Sequence, residues 1–116
     1  MSQPDCLFCK ISDGEIPADI VFENEKVVAF RDINPQAPTH VLIIPRKHIA
    51  TINDLESEDA SEIGQLFLAG AAVARNEGIA DSGYRVTMNC NADAGQTVFH
   101  LHLHLLGGRQ MTWPPG

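Results

Sequence analysis

Apolar and polar residues divide the chain into several short strands and one long helix. In the run Phe99-His100-Leu101-His102-Leu103-His104-Leu105-Leu106 the two classes alternate strictly from Phe99 to Leu105. That is the period of a β-strand, and it puts three histidines on one face and Leu101, Leu103 and Leu105 on the other. Ile20–Glu23 and Val27–Arg31 are β-prone runs around the polar turn Asn24-Glu25-Lys26 and predict a hairpin. His40–Pro45 is nearly all apolar, as a central strand covered on both faces is, and Pro45 ends it. Between them, Asp32–Thr39 carries two prolines and predicts a loop. Tyr84–Asn89 alternates again and predicts a strand that turns back through Cys90–Gly95 into the histidine strand.

Two segments have helical character. Cys6-Leu7-Phe8-Cys9 opens a short one that closes at Asp13-Gly14. Ser57, as a side-chain cap followed by Glu58 and Asp59 at the positive end of the dipole, predicts the start of a long one. Ile63, Leu66, Phe67, Gly70 and Ala74 then recur at helical spacing, and Asn76-Glu77-Gly78 predicts its end. Gly64, Gly70 and alanines 69, 71, 72 and 74 permit a close approach, either by the helix of a second copy or by the chain's own sheet.

The 116 residues predict a single domain, 1–116, with one hydrophobic core. A net charge of −7 argues against a nucleic-acid or anionic-membrane surface, either of which needs clustered Lys and Arg, and leaves room for a small anionic ligand. Met1–Asp5 has neither a basic region nor an apolar run, and no segment approaches the ~18 apolar residues of a membrane span, so a soluble, cytoplasmic protein is expected. Three cysteines without a secretory signal predict thiol or metal chemistry rather than a disulfide framework.

The histidine face is the candidate centre. In a strand, neighbouring imidazoles on one face stand about 6.6 Å apart, so two can touch one phosphate-sized group. Two chemistries fit: His102 as a nucleophile positioned by its neighbours, or two of the histidines as metal ligands, since His-x-His is also ligand spacing. A solvated polar face of an edge strand is the plain alternative, and three histidines in register behind Gly95-Gln96-Thr97 weigh against it. Free amides around Gly95, Gln96, Thr97 and Val98 can cradle an oxyanion, with Asn89 across the turn from Thr97. Asp32, where a strand ends, either accepts hydrogen bonds from a ligand diol or caps its own loop. His40 and His48 flank the central strand at opposite ends. Cys6-x-x-Cys9 is half of a zinc site, a redox pair, or two small apolar residues, and the redox reading lacks a βαβ context.

The run from Phe99 to Leu106 matches the pattern His-φ-His-φ-His-φ-φ, with φ apolar. With Glu15-Ile16-Pro17, Ala29–Ile33, Pro35–His40, Gly95-Gln96 and the tail Gly107–Gly116, it resembles the histidine triad superfamily over nearly the whole chain, in its branch of nucleotide-binding purine nucleoside phosphoramidases. The resemblance implies an α+β homodimer. Each subunit would have a five-stranded antiparallel sheet, one long helix and a short N-terminal helix, and the dimer would bury the long helices and extend a sheet across the two-fold. It implies hydrolysis of adenosine 5′-phosphoramidates, lysine conjugates included, to AMP and an amine. His102 would attack phosphorus to give a nucleotidyl-histidine; His104 and the amides around Thr97 would hold the phosphoryl oxygens beside Asn89; His100 and His40 would relay to His102; the Thr97 hydroxyl would serve the leaving nitrogen. Phe8, Ile11, Phe30 and Ile33 would sandwich the purine, Asp32 would bind the ribose, and the partner's Trp113 would help close the site. No cofactor is expected for catalysis. Cys6, Cys9, His48 and His100 have the ligand types of a structural zinc site found in some bacterial members, in which case His100 serves the metal instead. A non-catalytic nucleotide-binding module and a dinucleoside polyphosphate hydrolase are the alternatives.

Overall fold

The structure is a computed structural model that describes residues 3–116. Helix α1 (Leu7–Ser12) is followed by strands β1 (Ile20–Glu23), β2 (Val27–Arg31) and β3 (Thr39–Pro45), helix α2 (Ala60–Asn76), and strands β4 (Tyr84–Thr87) and β5 (Leu103–Gly107). The five strands form one antiparallel sheet in the order β1-β2-β3-β5-β4. The β1–β2 hairpin turns where Asn24 Oδ1 accepts from the amides of Lys26 and Val27, at 2.8 and 3.0 Å. Strand β3 lies at the centre and is buried at every residue, as its apolar run requires.

Alternation along the strands divides the core in two. Val27, Ala29, Val41, Ile43, Leu101, Leu103 and Leu105 pack with Leu66, Ala69 and Val73 of α2. Val28, Phe30, Leu42 and Ile44 pack with Phe8 and Ile11 of α1. The long helix covers one face, the short helix the other, and the histidines share the face of the short one.

Gly70 faces the chain's own sheet: a Cβ there would stand 3.5 Å from Ile43 Cδ1 and 3.7 Å from Leu105 Cδ1, an ordinary van der Waals contact, so α2 packs on the sheet at this position without requiring a glycine. Gly64 faces open space, and Phe67 and Leu68 are exposed on the outer side. The helix is entered differently from the sequence expectation. Ser57 opens a turn of 3-10 helix, and Asp59 stands at the cap position of α2 without capping it by its side chain: Oδ2 accepts from the Glu56 amide of the preceding turn at 2.9 Å, and Oδ1 accepts from Lys47 Nζ. The end is as expected, with Gly78 left-handed at φ +75° and the Ile79 amide bonded to the Ala74 carbonyl at 3.0 Å.

The histidine strand is shorter than its alternation predicts. Its ladder with β3 runs from Thr39↔Gly107 to Ile43↔Leu103 and stops there. Further pairing would face Pro45, which has no N–H to donate, and the Leu101 amide instead reaches the Ile49 carbonyl at 2.6 Å. His104 therefore lies within β5, whereas His100 and His102 lie in the extended segment ahead of it. Strand β4 also ends early, at Thr87 opposite His104, rather than at Asn89.

Candidate active site

Four histidines cluster on the α1 side of the sheet; main-chain groups fix the tautomer of three of the rings, and His40 fixes that of His104. The ring of His102 has Nδ1 2.8 Å from the His100 carbonyl oxygen. A carbonyl only accepts, so Nδ1 carries the proton and Nε2 is left with a bare lone pair. His100 has Nε2 2.8 Å from the Pro45 carbonyl, so its proton is on Nε2 and its Nδ1 lone pair faces the sulfurs of Cys6 and Cys9, at 3.3 and 3.5 Å. His40 accepts the Gln36 amide at Nδ1, 3.0 Å away, so its Nε2–H donates to His104 Nδ1 at 2.9 Å. His104 must then carry its own proton on Nε2.

Burial keeps these rings neutral. It lowers His102 and His40 from the ordinary histidine range against the pull of the Asp32 carboxylate, and for His102 also against the His100 carbonyl. His104 is pushed down to about 4 by burial and by the neighbouring imidazoles of His102 and His40. The site thus offers an uncharged nucleophilic nitrogen on His102 and an N–H donor on His104, with ring centroids 5.0 Å apart.

Beside them lies an apolar cleft of about 520 Å³ whose walls include Phe8, Ile11, Phe30, Asp32, Ile33 and Leu42. The four apolar residues expected to sandwich a purine are therefore together. Phe8 joins cleft to histidines, its ring 5.4 Å from Phe30 and 5.1 Å, edge to face, from His102. Asp32 joins them on the other side: Oδ1 accepts the Asn34 amide at 2.8 Å, the loop-capping role, and Oδ2 lies 3.5 Å from His40 Nε2.

The remaining expected residues are distributed as follows. Of the two histidines expected to relay to His102, His40 has its ring on His104, and His100 meets His102 through its carbonyl. Gln96 is buried and committed to the loop, its Oε1 accepting the Asn91 amide at 2.8 Å and its Nε2 donating to the carbonyls of Ala50 and Val98 at 2.9 and 3.1 Å. Gly95 is left-handed at φ +83°. Thr97 is exposed and, with Val98, Phe99, Cys6 and His48, lines a second depression. Asn89 is half-buried just past β4. Trp113 is 81 % exposed, with the Arg85 guanidinium 6.0 Å above its ring.

Cys6, Cys9, His48 and His100 bring their ligand atoms within 4.8 Å of one another. His48 Nδ1 lies 3.3 Å from Cys9 Sγ. A tetrahedral zinc at ordinary bond lengths sets sulfur and nitrogen ligands about 3.5 Å apart, which the three sulfur–nitrogen separations of 3.3, 3.5 and 3.3 Å match. The His100 tautomer also fits, since its Nδ1 lone pair is the one offered. Sequence reasoning missed Gln36, because a backbone amide has no signature in residue identity.

The HIT domain family's sequence profile matches residues 13–111. The chain is 51 % identical over 105 residues to a purine nucleoside phosphoramidase of Escherichia coli (strain K12), covering 90 % of this chain and 88 % of that one. A HIT family hydrolase from Legionella pneumophila Philadelphia 1 superimposes with a TM-score of 0.94 at 58 % identity, covering 97 % of this chain and 100 % of that one. A histidine triad protein from Clostridium difficile gives the same TM-score at 39 % identity, with 97 % of each chain covered.

Proposed function

The chain belongs to the HIT domain family, and from that premise we propose that it hydrolyses adenosine 5′-phosphoramidates to AMP and an amine. The observation that carries this reading is the bare Nε2 of His102, whose opposite nitrogen is held by the His100 carbonyl beside an apolar cleft. The purine enters between Phe8, Ile11, Phe30 and Ile33, and Asp32 takes the ribose hydroxyls. His102 Nε2 attacks phosphorus while His104 Nε2–H and the amides around Thr97 hold the phosphoryl oxygens. The P–N bond to the leaving amine breaks, with the Thr97 hydroxyl passing a proton to that nitrogen. Water then attacks the nucleotidyl-histidine, releases AMP and restores Thr97 and the neutral ring. Replacing one P–N bond by another divides a difficult displacement into two easier ones.

Cys6, Cys9, His48 and His100 would hold a structural zinc, which supplies a cross-link between α1, the loop after β3 and the triad segment and takes no part in the chemistry. A homodimer would cover Phe67 and Leu68 on the outer side of α2 and bring the exposed Trp113 to the partner's cleft. Cys6, Cys9 and Cys90 are not joined in disulfides, which supports a reducing, cytoplasmic setting; no helix among the described residues is long and apolar enough to cross a membrane. The net charge of −7 disfavours nucleic acid as a partner. Single-turnover hydrolysis of adenosine 5′-phosphoramidate in EDTA tests the function. AMP release with a trapped adduct on wild type and none on His102→Ala is expected; turnover that survives His102→Ala would overturn it.

A further inference from the structure

Gln36 is exposed, stands between Pro35 and Pro38, and offers the cleft no side chain, yet both of its main-chain polar groups are held. Its N–H donates to His40 Nδ1 at 3.0 Å, and its carbonyl accepts from Arg109 Nε at 3.1 Å. Its side chain folds back onto its own loop, with Nε2 3.0 Å from the Asn34 carbonyl. The neighbouring residue of the tail presses on the same loop. Gly108 has φ +87°, and a Cβ there would stand 2.9 Å from Pro38 Cβ, so main chain lies directly against the proline. At the far side the Asp32 amide bonds to the His40 carbonyl at 3.0 Å and closes the loop.

The consequence runs through two rings. An amide N–H can only donate, so His40 cannot place a proton on Nδ1 without losing this contact. Its proton sits on Nε2, between His104 Nδ1 at 2.9 Å and Asp32 Oδ2 at 3.5 Å, and His104 is thereby forced to present Nε2–H. With the opposite arrangement, His104 would turn a lone pair toward the phosphoryl oxygens. Asp32, His40 and His104 are also two histidines and a carboxylate with ligand atoms within 4.8 Å, the make-up of a facial metal site. A metal there needs the Nε2 lone pair of His40, which the proton occupies.

We propose that the main-chain amide of Gln36, clamped by Arg109 and Gly108, is the positioning element that fixes the tautomers of His40 and His104 and denies Asp32, His40 and His104 to metal ions. This rests on the hydrolase reading for its catalytic meaning, but the tautomers are measurable without it. Histidine ring ¹⁵N spectra of the full-length protein are compared for wild type, Gln36→Pro, which deletes the donor, Gln36→Ala, which keeps it, and Arg109→Ala, which frees the carbonyl.

Wild type and Gln36→Ala are expected to show Nε2–H on both rings. Gln36→Pro should show mixed tautomers, with kcat for adenosine 5′-phosphoramidate reduced about a hundredfold and KM within about threefold. It should also gain inhibition by added Ni²⁺. Arg109→Ala should lie between, with both tautomers visible and kcat lowered about tenfold. Nδ1–H on His40 in wild type overturns the proposal. So do unchanged tautomers in Gln36→Pro or, if that variant fails to fold, in Arg109→Ala. Absence of hydrolysis by a wild type with the expected spectrum would strike down the hydrolase reading alone.

Discussion

The ring of His102 hangs from the main-chain carbonyl of His100 at 2.8 Å, while the ring of His100 turns away to the cysteine pair. One residue thus touches two clusters through different atoms, and substitutions should separate the roles proposed for them. His100→Ala keeps the carbonyl, so the folded fraction should still form the nucleotidyl adduct; the loss of a fully buried, bonded ring should cost about 2–4 kcal/mol of stability. His102→Ala should abolish the adduct. Denaturant midpoints and intact mass, measured on both variants, check the crossing.

Ile33 is wholly exposed although it lines the apolar cleft, so folding gains nothing from its side chain. Ile33→Ala should leave the melting temperature unchanged and weaken AMP by about 1–2 kcal/mol, roughly tenfold in Kd. Calorimetric titration with AMP reads this directly. An unchanged Kd would place the base elsewhere.

Burial holds His40 and His104 neutral, His104 down to about 4, whereas in the unfolded chain both titrate near the ordinary value of about 6.5. Between those values the unfolded state binds more protons. Stability should therefore be fully present above about pH 6.5 and decline as pH falls toward about 4. Urea midpoints over that window check the slope, and His104→Gln should flatten part of it.

The four-ligand cluster predicts about one zinc per chain after gel filtration. Cys9→Ser should lower the zinc content and the melting temperature together, since the metal would tie α1 to the triad segment. Elemental analysis showing far less than one zinc per chain in the wild type would remove the metal from the account.

Phe67 and Leu68 leave an apolar strip on the outer side of α2, with relative exposures of 50 % and 65 %. Leu68→Glu should convert a dimer to a monomer in sedimentation without changing the circular dichroism. A wild-type monomer would remove the second subunit's Trp113 from the proposed site.

Much of this was legible because side-chain period is a local property. Strict alternation placed three imidazoles opposite three leucines, and the leucines do enter the α2 core while the rings face α1. The limit of the strand was not legible, because it depends on Pro45 of a strand distant in sequence. Cys6-x-x-Cys9 was ambiguous alone; only the resemblance joined His48 and His100 to it, and the fold brings the four ligand atoms, from three segments, within 4.8 Å of one another. Gln96 was read for its amide, but its side chain is what braces the loop. Gln36 left no trace at all, since every residue but proline carries the same N–H.

The alternation from Leu101 to Leu105 also sets how the gene can change. Substitutions there act one side chain at a time, but a one-residue insertion or deletion between Gln96 and Leu103 would exchange the faces of every residue up to the compensating shift. Imidazoles would be driven against α2 and leucines into the cleft. This stretch should tolerate scattered point changes and almost no length variation, whereas the exposed turn at Ala92–Ala94, which bears no side chain of the site, should admit both.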